Sequence, residues 1–449
     1  MLRRIGLRRA DVMQTASALP AEAGAAEPGA ASAPAIEASD ERPVSPSGAR
    51  ITWKRATLAV AAIALLGGAA AYTQKDRLAP HTAELLRDVI GDENTARVEG
   101  WVFKVEDRME RWKYRFFGGE SDPFAVAEIQ VQFIPRTPAR EVTYFAGTSR
   151  KGAQTLTAEA LGPLPLSLPA TKVLSSDPLP GEGVWTTTGL PRNTPADTLM
   201  ARTFIRPDRS RPYATVGVLV IDQRRMHLKM VGGTEHPGGD RGVKGPGVIP
   251  KEDYSKLLVA FNGGFQGPHG GFGMVANGKE YRALRNGLAT ICVASNGTMK
   301  MGQWGRDLSW QADFEACRQN AVLLVDNGEV SKRTTEGNDT WGYVNVDSSE
   351  FITWRSAVGL TKDGNLMIAA GNALSAETLA KAMHAAGAHM AMQLDINAPY
   401  ISTGLFYPQP DGTLKSQKFM DSMVAGVSSF LGTRERDFFY VVLDESRYR

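Results

Sequence analysis

The stretch SAETLAKAMHAAGAHMAMQLDIN, residues 375–397, decides how the second half of the chain is read. Ser375 supplies an N-cap oxygen, Glu377 puts a negative charge in the first turn, and Gly387 stops the helix that the intervening residues favour. The next residues, AHMAMQL, are apolar or small and read as a buried strand that ends at Asp395. Upstream, AVGLTKDGNLMIAA (357–370) reads as a hairpin around Asp363-Gly364. The unit is strand, helix, strand. When its two strands run parallel, the carboxyl end of the second lies at the usual ligand crevice. Asp395 is therefore the first candidate for chemistry.

Outward from this unit, turn dipeptides recur: Asn277-Gly278, Asn286-Gly287, Asn296-Gly297 and Asn327-Gly328. Asn-Gly between apolar runs favours type I′ hairpins, whose two central residues both need positive φ. The first three predict an antiparallel meander. With the late helix, the expected fold class is mixed α/β (α+β): an antiparallel, hairpin-rich sheet plus one strand-helix-strand unit.

The amino-terminal part differs in kind. Residues 1–55 are rich in Ala, Pro, Glu and Ser and predict a disordered tail, since they cannot bury enough apolar surface to offset their ordering entropy. Residues 56–74 hold no charge and are flanked by Lys54, Arg55 and Lys75. At 1.5 Å per residue they extend roughly 30 Å, the thickness of a bilayer core, and predict a single transmembrane helix. A slight basic excess before the span places the tail in the cytoplasm and the remainder in the periplasm or outside the cell.

Val98, Trp101, Val102, Val105, Met109, Trp112 and Phe116 fall at helical spacing, so residues 75–120 predict an amphipathic stalk whose apolar face packs on the domain beyond. Residues 121–200 read as a small β-rich and linker region, and residues 201–449 as the main domain.

Composition bounds the function. Of 449 residues, 43% are hydrophobic and 22% charged, an ordinary globular balance, and a net charge of +3 without a basic stripe gives no case for nucleic acid. Two cysteines, Cys292 and Cys317, exclude a four-cysteine metal site and leave two free thiols or one bridge, the latter favoured in an oxidising compartment. The six histidines show no metal-ligand spacing. No phosphate loop, dinucleotide fingerprint or nucleophile elbow occurs, and no cofactor is implied.

LLVAFNGGFQGPHGGFG, residues 257–273, is the strongest local signal for a binding loop. A strand ends at Asn262, and six of the twelve residues from Asn262 to Gly273 are glycine. Clustered glycines let backbone N-H groups approach an anion; the same Asn-Gly also suits a plain turn. Arg355 opens an otherwise apolar strand with a donor fork suited to phosphate or carboxylate, or to a structural acid.

These pieces resemble the phosphodiester glycosidase family in their order: VGVLVIDQRRMHLKMV, VAFNGGF, NGLATICVASNGTMKM, AVLLVDNGEV, RSAVGLTKDGNLMIAA and the helix into MQLD, together about residues 213–400. The resemblance implies a mixed α and β fold and hydrolysis of a sugar-1-phosphodiester at the anomeric carbon. It also implies a glycan or glycosyl-phosphate substrate in the cell envelope, such as an exopolysaccharide. The family ends the last strand in Leu-Asp-Gly-Gly, whereas this chain has Leu394, Asp395, Ile396 and Asn397.

The expected catalytic residues are Asp395, Arg355 and Asn262. Gly263, Gly264, Phe265 and Asn397 are expected to bind substrate, with Asp326, Glu235 and His269 as further acid or base candidates. The competing reading is a non-catalytic envelope module that kept the fold and binds a glycan or a protein.

Overall fold

A computed structural model describes residues 104–105, 107–118, 122–124, 142–145, 153–156, 166–193, 198–336, 338–342 and 351–444. The expected tail and the apolar stretch 56–74 lie outside the described residues. Among the described residues no helix is long and apolar enough to cross a membrane.

Strands dominate. β1 (Val142–Phe145) and β2 (Ala153–Leu156) form a hairpin, followed by β3 (Met200–Ile205), β4 (Val216–Ile221), β5 (Met226–Val231) and β6 (Leu257–Asn262). Then come β7 (Met274–Ala276), β8 (Lys279–Arg282), β9 (Ala289–Ala294), β10 (Met299–Gln303) and β11 (Phe314–Gln319). β12 (Leu323–Asp326), β13 (Glu329–Val330), β14 (Thr353–Thr361), β15 (Leu366–Leu374) and β16 (Ala388–Ile396) precede β17 (Thr403–Pro408), β18 (Leu414–Lys418) and β19 (Phe438–Leu443).

Beyond the first hairpin these strands build three sheets, ordered β13-β12-β16-β14-β15-β4-β3, β18-β17-β6-β19-β5 and β10-β9-β11-β7-β8. Every strand pair in them is antiparallel.

This corrects the expected mixed α/β class to a mainly antiparallel β fold. The helix Ala376–Ala385 forms as read, with Ser375 and Thr378 completing a capping box and Gly387 at φ +88° ending it. It is, however, the one α-helix in 198–444 longer than a single turn among the described residues. Its flanking strands β15 and β16 both pair antiparallel with β14, which lies between them, so they run parallel to each other without touching. The expected strand-helix-strand unit is thus a single crossover, and hairpins carry nearly everything else.

The seven-stranded sheet is buried on both faces, which is why β4, VGVLVI, shows no polar alternation. Val216, Val218 and Val220 join Leu379, Ala380 and Met383 of the helix in one cluster. Leu219 and Ile221 face the other way, in a cluster with Leu228, Val259, Phe261 and Phe439 of the second sheet. Burying a side chain of this size stabilises by about 1.5–3 kcal/mol, so β4 anchors both layers.

The expected turns hold in part. Asn277-Gly278 and Asn327-Gly328 each have both residues at positive φ and close the hairpins β7-β8 and β12-β13. The 277–297 region is no simple meander, because β11 inserts between β9 and β7.

Cys292 and Cys317 stand opposite each other on β9 and β11 and are bridged, with Cα atoms 4.1 Å apart. The bridge closes a 25-residue separation. Replacing both cysteines with alanine is expected to lower unfolding free energy by roughly 3 kcal/mol, readable as a lower denaturant midpoint.

Residues 107–117 are helical, but the side that meets the domain is polar. Asp107 accepts from Arg211 at 2.9 Å and from Tyr213, and the Tyr114 hydroxyl accepts from Arg206 at 3.1 Å. Trp112 and Phe116, expected to pack inward, are 58% and 64% exposed. Helical spacing identified the face, and the charged anchors decided its direction.

Candidate active site

The site is built where β16 breaks register. Arg355 of β14 faces Ile396 and Ala357 faces Gln393, so two residues of β14 span three of β16. Leu394 and Asp395 together oppose Ser356, a β-bulge that re-aims the Asp395 side chain. Neighbouring strands satisfy the displaced backbone. The Asn320 side chain donates to the carbonyls of Gln393 and Leu394 at 2.9 and 3.0 Å, and the Ser356 hydroxyl donates to the Asp395 carbonyl at 3.0 Å. The Asp395 amide donates to the Gly263 carbonyl at 3.1 Å.

Asp395 is 6% exposed. Its Oδ1 accepts from the Ile396 amide at 2.9 Å, and its Oδ2 accepts from Arg436 Nη1 at 2.7 Å. Burial pushes its pKa up to about 6 against the pull of the Arg436 charge and the Ile396 amide, and the nearby Asp437 charge raises it further. The Arg436 guanidinium lies 3.5 Å above the Tyr400 ring, which fixes its plane. One of its nitrogens is committed to Asp395, and its side chain is 18% exposed.

Beneath this pair lies another. Arg318 donates to both oxygens of Asp437, at 2.8 and 3.1 Å, with both side chains almost wholly buried. Asp437 also accepts from the amides of Gly263, through its carbonyl at 3.0 Å, and Gly264, through Oδ2 at 3.3 Å. A Cβ at residue 263 would lie 2.1 Å from Asp437 Oδ2, so the glycine permits this close approach.

The structure places the sequence-predicted residues as follows. Asn262 sits next to Asp395 through Ser356, donating to that hydroxyl at 2.9 Å and accepting from the Ser402 amide at 3.3 Å, so it ties three strands together. The amides of Gly263 and Gly264 already hold Asp437, and the Phe265 amide donates to the Asn320 side chain at 3.1 Å.

Arg355 neighbours Ile396 in register, yet its guanidinium donates to the carbonyls of Leu374, Trp341 and Phe351 and to the Gln393 side chain, at 2.6–3.1 Å. It is 1% exposed, and burial lowers its pKa to about 9.

Asn397 stands at φ +73° and accepts from the Thr353 hydroxyl at 2.9 Å. Asparagine tolerates this left-handed backbone better than most residues, so it keeps the conformation that a glycine would take there. Ile396 is buried with Phe265 and Phe351 in a small apolar cluster.

Asp326 is held by Arg306 at 2.7 Å on β12, and Val325 pairs with Ala391. The four residues from Ala391 to Asp395 alone put about 13 Å between the two acids. Glu235 is exposed and its amide binds the Glu435 carbonyl at 3.0 Å. His269 lies in the turn after the glycine loop, its amide on the Gln266 carbonyl at 3.0 Å. Among the described residues no cluster of metal-ligating side chains forms.

Sequence reasoning missed Arg436, Asp437, Arg318, Asn320 and Tyr400. Arg436-Asp437 does leave a trace, a charged pair immediately before the apolar strand FFYVVL, as Asn262 closes the strand LLVAFN beside it.

Residues 255–395 match the phosphodiester glycosidase family model. No curated protein matches the chain. Among solved structures, the catalytic domain of zebrafish N-acetylglucosamine-1-phosphodiester alpha-N-acetylglucosaminidase, auto-inhibited by its pro-peptide, is 17% identical. That match covers 58% of this chain and 88% of that one, with a TM-score of 0.37.

A hypothetical protein from Synechocystis is 12% identical over 51% of this chain and 59% of its own, with a TM-score of 0.29. A putative exported protein from Burkholderia pseudomallei is 13% identical over 56% and 75%, with a TM-score of 0.22. The family match runs from the segment before β6 to the acid at the β16 bulge, so residues 255–395 are similar to the phosphodiester glycosidase family.

Proposed function

We propose that the protein hydrolyses a sugar-1-phosphodiester, with Asp395 as general base and Arg436 as the cation that holds the phosphate. The observation that carries this reading is the Asp395–Arg436 pair, a carboxylate with its pKa raised to about 6 and a partly exposed guanidinium 2.7 Å away, at the end of the family match.

Water attacks the anomeric carbon and gives its proton to Asp395. The bond from that carbon to the phosphate oxygen breaks, leaving a sugar with a free anomeric hydroxyl and a phosphate monoester. A base works best with a pKa near the operating pH, and Asp395 meets that condition. Ordinary glycosidases need a second carboxyl group to protonate the leaving oxygen. Here phosphate is already a good leaving group, and the other nearby acid, Asp437, is engaged by Arg318.

The disulfide supports an oxidising, extracytoplasmic compartment, where envelope glycans and glycosyl phosphates are met. The test is to incubate the full chain with methyl phosphodiesters of N-acetylglucosamine, glucose and mannose and to assay reducing sugar. Release from at least one is expected, and release from none favours a non-catalytic binding module.

Acid dependence offers a separate check. The kcat/KM of the wild type is expected to rise as pH increases through about 6, where Asp395 loses its proton. Arg436 holds that pKa down, so Arg436→Gln is expected to move the rising limb to higher pH and to raise KM. A limb that stays in place would separate Asp395 from the titration.

A further inference from the structure

A cleft of about 1240 Å³ lies apart from Asp395, between β5 and β19 on one side and the sheet of β7, β9 and β11 on the other. Small-ligand sites run to roughly 300–1,000 Å³, so this one has room for a longer molecule. Trp304, Trp310, Phe314 and Tyr440 line it. Trp310 is 51% exposed and meets Phe314 edge-on at 6.2 Å, which leaves its indole open to a ligand.

The charged residues in the lining are Lys229, Lys279, Glu280 and Glu315, two of each sign. Lys229 donates to Asp253 at 2.8 Å, and Glu315 lies 3.4 Å from His227. An exposed indole over an apolar floor, with a charge-balanced polar rim, suits an uncharged ligand with apolar faces and hydroxyl edges, which is the chemistry of a neutral sugar chain. An acidic or basic polypeptide would meet no complementary field.

Two strands run from the cleft to the active site. β19 carries Tyr440 in the cleft, with Arg436 just before the strand begins. β11 carries Glu315 and Ala316 in the cleft and Arg318 beneath the site. At about 3.3 Å per residue these separations are roughly 13 and 7–10 Å, a span of a few sugar units.

We infer that this cleft binds a neutral oligosaccharide, the glycan portion of the substrate whose phosphodiester end reaches Arg436. Its part in turnover rests on the glycosidase reading, whereas binding does not. The experiment is calorimetric titration of the full-chain Asp395→Asn protein with chitohexaose, cellohexaose and maltohexaose, and with a casein-derived peptide as the alternative class.

At least one hexasaccharide is expected to bind and to quench tryptophan fluorescence. Trp310→Ala is expected to weaken that binding about tenfold, the size of one lost aromatic contact, and Trp310→Phe to recover part of it. Trp310 is exposed, so neither change should disturb folding, which circular dichroism would verify. Failure of all three sugars to bind, binding of the peptide alone, or sugar binding indifferent to Trp310 would overturn the inference. Trp310-dependent sugar binding in a wild type that cleaves no phosphodiester would instead sink the glycosidase reading and leave the cleft standing.

Discussion

Asp395→Asn is expected to remove activity and, at the same time, to leave the protein as stable as the wild type or more so above pH 7. The activity loss follows from the role. Asparagine cannot take a proton from water, and general-base assistance is worth about 10²–10⁴-fold in kcat.

The stability effect follows from burial. Asp395 has its pKa raised from 3.8 to about 6 in the folded chain, so the folded state binds the proton more tightly than the unfolded state. Its contribution is therefore most favourable below about pH 4, declines as pH rises through 6, and stays unfavourable above that. At about 1.4 kcal/mol per unit, the charged carboxylate costs up to about 3 kcal/mol at pH 8, and the amide does not incur this. Thermal melts of the two proteins at pH 4 and pH 8, with kinetics at pH 8, check both signs. A variant that melts well below the wild type at pH 8 would assign Asp395 a structural role.

Arg318→Ala is expected to be the most destabilising single change near the site, by about 3–5 kcal/mol. It leaves the Asp437 carboxylate buried and without its cation, and breaking one side of a buried pair is costlier than never having it. Arg318 also donates to the carbonyls of Phe265 and Gln319, at 2.9 and 2.7 Å, so the glycine loop after β6 would lose its support. Urea denaturation gives the magnitude. Replacing both partners, as Arg318→Met with Asp437→Leu, is expected to recover part of it, although the Gly264 amide then lacks its acceptor. Near-equal stability of Arg318→Ala and the wild type would show that the pair is solvated.

What the sequence made legible was local. The Ser375 cap, the helix to Ala385, the stop at Gly387 and the strand ending at Asn262 each rest on neighbouring residues, and each forms. The fold class misled because one well-signalled helix weighs heavily in a reading by segments. Strand pairing, as in the insertion of β11 between β9 and β7, leaves no local mark.

The candidate site includes Asp395, which the sequence singled out, and Arg436, which it did not. Arg436 lies 41 residues away and arrives through the pairing of β19 with β6. The bulge that aims Asp395 is equally silent, since it depends on Asn320 and Ser356 donating to the displaced backbone carbonyls. Arg355 drew notice as a charge in an apolar strand, and carbonyls from three other segments take up its donors.

The central claim is that the bond broken lies between the anomeric carbon and the phosphate oxygen, with water directed by Asp395. Turnover of a sugar-1-phosphodiester in ¹⁸O-labelled water, followed by mass spectrometry of both products, tests it directly. The account predicts the label in the anomeric hydroxyl of the released sugar and none in the phosphate monoester. Label in the phosphate would mean attack at phosphorus, and would contradict it.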